Sequence, residues 1–273
     1  MNNFFKRTLT AGAFVAVLLG CTYYSQISFS ILFFIITILG LWEFYTLSEK
    51  GSNKPQKIWG TIAGSTVFAT TASVCMGYFD YRILVINIPV LFLIFIIELY
   101  TKSVNPFRNI AFTILGIVYV AIPFSLLNYL VTYTGTYSYE LLFGFFFILW
   151  SNDSGAYLAG SAFGKRKLFP RISPGKSWEG SIGGAIASYI VVFIISKWYN
   201  GFSIIDGMAI AAILIIIGTL GDLVESLYKR SKNVKDSGTL LPGHGGILDR
   251  FDSLLMASPF VFTYLYLTQL FNH

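Results

Sequence analysis

The chain has 273 residues, of which 55% are hydrophobic, 18% aromatic and only 12% charged, whereas a soluble domain carries about 25% charged residues. That balance excludes a disordered chain, a coiled coil, a collagen and an ordinary soluble enzyme, and it fits a membrane protein with many spans. The formal net charge of +6 would suit a nucleic-acid binder in a soluble protein, but the distribution of the charges points elsewhere and no nucleic-acid partner is expected.

A helix needs roughly 17–25 apolar residues to cross about 30 Å of hydrocarbon. In chain order, apolar runs predict nine spans: Leu9–Tyr24, Phe29–Leu47, Ile58–Tyr78, Ile83–Leu99, Ile110–Val131, Glu140–Phe163, Ser181–Trp198, Ile204–Leu227 and Ser253–Phe271. The runs are continuous rather than alternating, so helices are expected in place of strands. Lipid also requires backbone polar groups to be satisfied internally. The fold class is therefore all-α and polytopic. With the N-terminus on the cytoplasmic side, 17 of the 19 lysines and arginines fall in inner segments, and only Arg82 and Lys197 fall outside. This is the bias that membrane orientation imposes. Residues 1–273 are expected to form a single membrane domain, with a plain hydrophobic part over 1–139 and a part over 140–273 that carries two long polar loops, both cytoplasmic.

Two local patterns are decoys. Lys6 and Arg7 precede an apolar run ending Leu18-Leu19-Gly20-Cys21, which resembles a lipoprotein signal; a first transmembrane helix with a buried cysteine is the preferred reading. Pro174-Gly175-Lys176-Ser177 matches the end of a P-loop, but Pro170 stands where that motif requires its first glycine.

Ionisable residues within spans are costly and face a partner or a cavity. Acids in the predicted spans include Glu43, Glu98, Asp153, Asp222 and Glu225. Glu43 and Glu98, near cytoplasmic ends, read as interface anchors or local salt bridges. Asp153 belongs to a polar tract, Ser151-Asn152-Asp153-Ser154, that interrupts an apolar helix. A basic, Pro- and Gly-containing loop follows, with Lys165, Lys167, Ser173, Lys176 and Ser177. Ammonium and backbone N–H groups of this kind hold phosphates.

The second cluster spans residues 221–252. Asp222, Glu225 and Lys229 share one helix face, and Asp249 and Asp252 are three apart at the start of the last span. Gly243, Gly245 and Gly246 surround His244, a density that implies close backbone approach or unusual φ angles. A capping role for Asp249 and a salt bridge from Asp222 to Lys229 would explain single residues but not the whole cluster. Carboxylates at one depth repel unless a cation joins them, and hard oxygen donors beside a phosphate-binding loop suggest Mg²⁺. Such a site suits nucleotidyl transfer to a lipid phosphate, which needs alignment and charge neutralisation rather than a strong base. His244 is then expected to donate a hydrogen bond or shape the loop.

The stretch Ser226-x2-Lys229-Arg230-x4-Lys235-Asp236-x-Gly238-x3-Pro242-Gly243-His244-Gly245-Gly246-x2-Asp249-Arg250-x-Asp252 resembles the signature of the phosphatidate cytidylyltransferases. Trp150 to Gly180 is similar to a second common segment of that family, with Ser154 and Ser177 at positions that often carry threonine. The resemblance implies an all-helical membrane enzyme that transfers CMP from CTP to phosphatidate, giving CDP-diacylglycerol and pyrophosphate. It implies Mg²⁺ held by Asp222 and Asp249, allows a second, monovalent cation such as K⁺, and suggests a homodimer in a bacterial inner membrane with its site on the cytoplasmic side. Catalytic roles carry over to Lys229, Arg230, Lys235, Asp236, His244, Arg250 and Asp252, and substrate-binding roles to Asp153, Lys165, Lys167, Ser173, Lys176, Ser177, Ser226, Gly245 and Gly246. The CDP-alcohol phosphotransferase pattern Asp-x2-Asp-Gly is absent, because Ser253 follows Asp252. A coupled transporter would place its polar groups near the bilayer midplane, whereas here they crowd one face.

Overall fold

The computed structural model describes residues 3–49, 53–198, 203–238 and 245–271. The chain divides into two compact units, Met1–Tyr137 with Ser231–Phe251, and Ser138–Arg230 with Asp252–His273. Among the described residues seven helices are long and apolar enough to cross a membrane, and the protein is an all-α polytopic integral membrane protein. Two of the nine predicted spans are not among the seven. Leu9–Tyr24 is a shorter apolar stretch within a helix that starts at Asn3, and Glu140–Phe163 is long enough but diluted by its polar tract.

The first unit opens with α1 (Asn3–Tyr24), α2 (Gln26–Ser48) and α3 (Lys57–Cys75). A 3₁₀ turn, Tyr81–Ile86, leads into α4 (Asn87–Leu99). Next, α5 (Pro106–Gly116) continues through a wide π turn, Ile117–Ala121, into α6 (Ile122–Leu130). The π turn has a local cause. Pro123 has no N–H to give the preceding turn, and one wide turn just before it absorbs the mismatch without ending the span. Ser25 caps α2 by accepting the Ser28 N–H, one of the donors a helix start leaves unpaired.

The core of this unit is aromatic. The Phe124 ring meets Phe251 edge-on at 5.2 Å and Phe33 at 6.0 Å. Tyr45 is fully buried and donates to the Thr113 carbonyl at 2.8 Å. A Cβ at Gly60 or Gly116 would come within 2.5 Å of the Tyr45 ring system, so glycine at both positions is what lets the ring enter. Glu98 is buried rather than anchored at an interface. It accepts from Gln56 Nε2 at 2.6 Å and from Asn109 Nδ2 at 2.9 Å. Asn109 in turn accepts the Lys54 N–H, so one carboxylate ties the segment before α3 to α4 and α5.

The second unit contains α7 (Glu140–Phe163), α8 (Trp178–Trp198), α9 (Ile204–Ile213), a π turn over Leu214–Gly218, α10 (Thr219–Ser231) and α11 (Leu248–Phe271), whose first turn belongs to the first unit. Between α7 and α8 the predicted loop forms a small antiparallel hairpin of β1 (Lys167–Phe169) and β2 (Ser173–Ser177). Short paired strands of this kind leave no hydropathy signal.

Small residues allow α7 and α8 to approach closely, as in membrane helix pairs generally. A Cβ at Gly184 would lie 2.6 Å from Asn152 oxygens, and one at Gly155 would lie 2.7 Å from Ala187 Cβ. On α8 the exposed side chains Ile182, Ile186, Ile190 and Phe193 form a stripe at helical spacing. Water would disfavour such a stripe and hydrocarbon accommodates it. The helices extend beyond the predicted spans at the polar ends, so Asp249 and Asp252 sit within α11 and Glu179 within α8. Hydropathy marks only the apolar part of a helix.

Candidate functional site

In the second unit the site starts from a backbone contact. A Cβ on Gly221 would lie 2.7 Å from the Asp252 carbonyl and 2.8 Å from Met256 Cβ. Only glycine lets α10 rest against α11 at this level. The contact brings Asp222 and Glu225 of α10 beside Asp252 of α11, with one carboxylate oxygen from each within 4.8 Å of the others. Glu225 is almost completely buried.

Two lysines answer these charges. Lys176, on β2, places its ammonium 2.5 Å from Asp222 Oδ2 and 3.4 Å from the Thr219 carbonyl. Lys229 pairs with Glu225 one helical turn away and is itself buried. The pairing thus differs from the Asp222–Lys229 bridge considered from the sequence. Ser226 donates to Asp222 Oδ1 at 3.2 Å, and Asp252 accepts the Ser253 N–H at 2.6 Å. Asp153, on α7, lies within electrostatic reach of Lys176 and Asp222. Three carboxylates, a nearby fourth and two ammonium groups therefore form one charge cluster.

The hairpin is held from below. Glu179, in the first turn of α8, accepts the N–H groups of Lys165 at 3.1 Å and Arg166 at 3.2 Å. Ser177 is buried and accepts the Gly180 N–H at 3.2 Å, so it caps the start of α8. Lys165 and Lys167 are exposed, while Ser173 is half-buried. Arg230, near the end of α10, is exposed as well.

In the first unit two acids hold Ser237 and the backbone that enters α11. Asp249 Oδ2 accepts the Ser237 N–H at 2.9 Å and the Gly246 N–H at 2.8 Å. Gly245 has φ +82°, and a Cβ there would overlap that same oxygen, so the position demands glycine twice over. Glu43 of α2 accepts the Ile247 N–H at 2.8 Å, the Leu248 N–H at 3.0 Å and the Ser237 hydroxyl. It is thus neither a surface anchor nor a salt bridge, and sequence reasoning undervalued it. A signal existed: a lone acid in an apolar helix must find donors, and glycines at 238 and 246 supply a backbone that an acid can approach.

Lys235, Asp236 and Arg250 are exposed. Lys232 donates to the Ser48 carbonyl at 3.2 Å; burial, and then the Arg108 charge, hold its ammonium below the usual lysine range. His244 lies outside the described residues. Of the two acids expected to hold metal, Asp222 belongs to the second unit and Asp249 to the first. The structure groups Asp222 with Glu225 and Asp252.

The model of the cytidylyltransferase family matches residues 5–268. The chain is 51% identical over 131 residues to a phosphatidate cytidylyltransferase of Haemophilus influenzae, a match covering 46% of this chain and 45% of the relative. A phosphatidate cytidylyltransferase of Bacillus subtilis is 40% identical over 178 residues, covering 63% of this chain and 65% of the relative. One from Staphylococcus saprophyticus is 43% identical over 169 residues, covering 60% and 64%. The chain thus spans from about half to just under two thirds of the length of these curated relatives.

Proposed function

The chain belongs to the cytidylyltransferase family, and from that premise we propose that it is a phosphatidate cytidylyltransferase of phospholipid biosynthesis. In this reading it transfers CMP from CTP to phosphatidate and releases CDP-diacylglycerol and pyrophosphate. The observation that carries it is the charge cluster of the second unit, in which a lysine from a basic hairpin pairs with one of three gathered carboxylates on membrane helices. The names of the curated relatives support the same reading.

The donor set suits Mg²⁺: several carboxylate oxygens within one small volume and no sulfur or imidazole among them. Asp222 would hold the ion with Glu225 or Asp252, and Asp249 is proposed as a further ligand from the resemblance. When bound, the ion neutralises triphosphate charge. A second, monovalent cation is part of the same proposal.

The reaction itself asks little of a base. A phosphatidate oxygen attacks the α-phosphorus of CTP, a new P–O bond forms, and the bond to the β-phosphate breaks with its electron pair leaving on pyrophosphate. The attacking oxygen is already anionic, so no proton has to be removed. Lys176 would steady the phosphates against Asp222, while Lys165, Lys167, Arg230, Lys235 and Arg250 supply cationic contacts. A homodimer, a bacterial inner membrane and a cytoplasmic site complete the proposal; the 17-to-2 split of basic residues supports the orientation.

The test is a turnover assay with α-labelled CTP, phosphatidate and Mg²⁺ on detergent-purified protein. Labelled CDP-diacylglycerol and an equal amount of pyrophosphate are expected. A folded preparation that yields neither under any divalent metal overturns the reading.

A further inference from the structure

We infer that Glu43 is a positioning residue for Asp249: its buried carboxylate, reaching from α2, ties Ser237 to the start of α11 and so fixes the acid carried there. The inference deepens the proposed function, because it rests on a metal role for Asp249.

The geometry makes one connected structure. Ile247 and Leu248 provide N–H groups at the start of α11 that have no carbonyl partner within the helix. Glu43 accepts both, one on each oxygen, at 2.8 and 3.0 Å. The same carboxylate also takes the Ser237 hydroxyl, twelve residues before Asp249. Asp249 then accepts the Ser237 N–H and the Gly246 N–H. Ser237 is therefore held through its hydroxyl by Glu43 and through its backbone by Asp249.

Gly238 and Gly246 both lie against Glu43. A Cβ on Gly238 would sit 2.6 Å from Glu43 Oε2, and one on Gly246 would overlap the carboxylate. Glu43 is buried, so the arrangement replaces water by three protein donors, and losing the charge leaves two backbone donors poorly paired. An acid that orients a metal-binding acid through shared donors contributes to affinity without touching the ion.

The experiment compares the full chain with Glu43→Gln and Glu43→Asp variants, purified in detergent. One readout is amide hydrogen exchange of residues 245–252, with the hairpin over 165–177 as an internal reference. The other is Mn²⁺ affinity by electron paramagnetic resonance. Glu43→Gln is expected to speed exchange at Ile247 and Leu248 about tenfold or more, leave the hairpin unchanged, and weaken Mn²⁺ by about 10–100-fold. Glu43→Asp, which keeps the charge, recovers part of both. Unchanged exchange in Glu43→Gln, or faster exchange with unchanged Mn²⁺ affinity, overturns the inference.

If Glu43→Gln loosens the hairpin too, it has lost its fold, and Glu43→Asp is judged by the same two readouts. The outcomes separate the two proposals. A wild-type chain that makes no CDP-diacylglycerol while Glu43→Gln still alters exchange and Mn²⁺ removes the cytidylyl reading alone. Normal turnover with unaltered exchange removes the Glu43 role alone.

Discussion

The ammonium of Lys176 lies 2.5 Å from a carboxylate oxygen of Asp222, which joins the basic hairpin to the acidic cluster within one unit of the chain. A charge-assisted bond of this kind is worth about 1.5–3 kcal/mol. Lys176→Ala is expected to lower kcat/KM for CTP at least about tenfold. Combined with Asp222→Asn, the effects are expected to fall short of additivity by about 0.5–3 kcal/mol. A double-mutant cycle in the turnover assay measures the coupling, and strict additivity would show that the two groups act separately.

Gly221→Ala tests the helix contact beneath the acids. The new Cβ would meet the Asp252 carbonyl at 2.7 Å, and both partners are helix backbone, so neither yields easily. Overpacking of this sort costs about 1–3 kcal/mol. Thermal unfolding in detergent should move down and Mn²⁺ affinity should fall with it. A variant with native stability and affinity would mean that α10 can slide without consequence.

Removal of divalent metal with EDTA is expected to abolish turnover, and added Mg²⁺ to restore it. Asp222→Asn, Glu225→Gln and Asp252→Asn should each weaken Mn²⁺, with Asp222→Asn losing the most. Mn²⁺ titration followed by electron paramagnetic resonance gives the order. Three variants that all bind like the parent would remove these side chains from metal binding.

Glu98 separates a structural acid from a functional one. Glu98→Leu leaves the Gln56 and Asn109 amides without the acceptor they now share, at about 1–3 kcal/mol for each unmet donor. A lower unfolding temperature with unchanged Mn²⁺ affinity is the expected pair of results. A selective loss of metal affinity instead would give Glu98 a role that its surroundings do not suggest.

Much of this was legible in the residues. Long apolar runs marked most helices, because hydropathy reports burial in lipid directly. Asp222 stood out as a charge that lipid would not tolerate alone, Asp252 as an acid at the start of the last span and Lys176 as a cation of the basic loop, and the structure gathers them. Partner choice was not legible. Lys229 binds Glu225 rather than Asp222 because four residues along a helix place side chains closer than seven. The cap that Ser177 gives to α8 was not foreseen either, since a hydroxyl at a helix start satisfies an N–H whether or not a ligand exists. Glu43 was read as an anchor because its donors come from about two hundred positions away in sequence, where no local pattern can report them.

The tight seam between α7 and α8 has a mechanical consequence. The hairpin grows from the ends of these two helices, and at its root Gly180 and Gly164 crowd the Ser177 hydroxyl so closely that an added Cβ would fall within 3.1 and 2.7 Å of it. The feet of the basic hairpin are therefore placed by the packing of two membrane helices, and its three- and five-residue strands carry little of that burden.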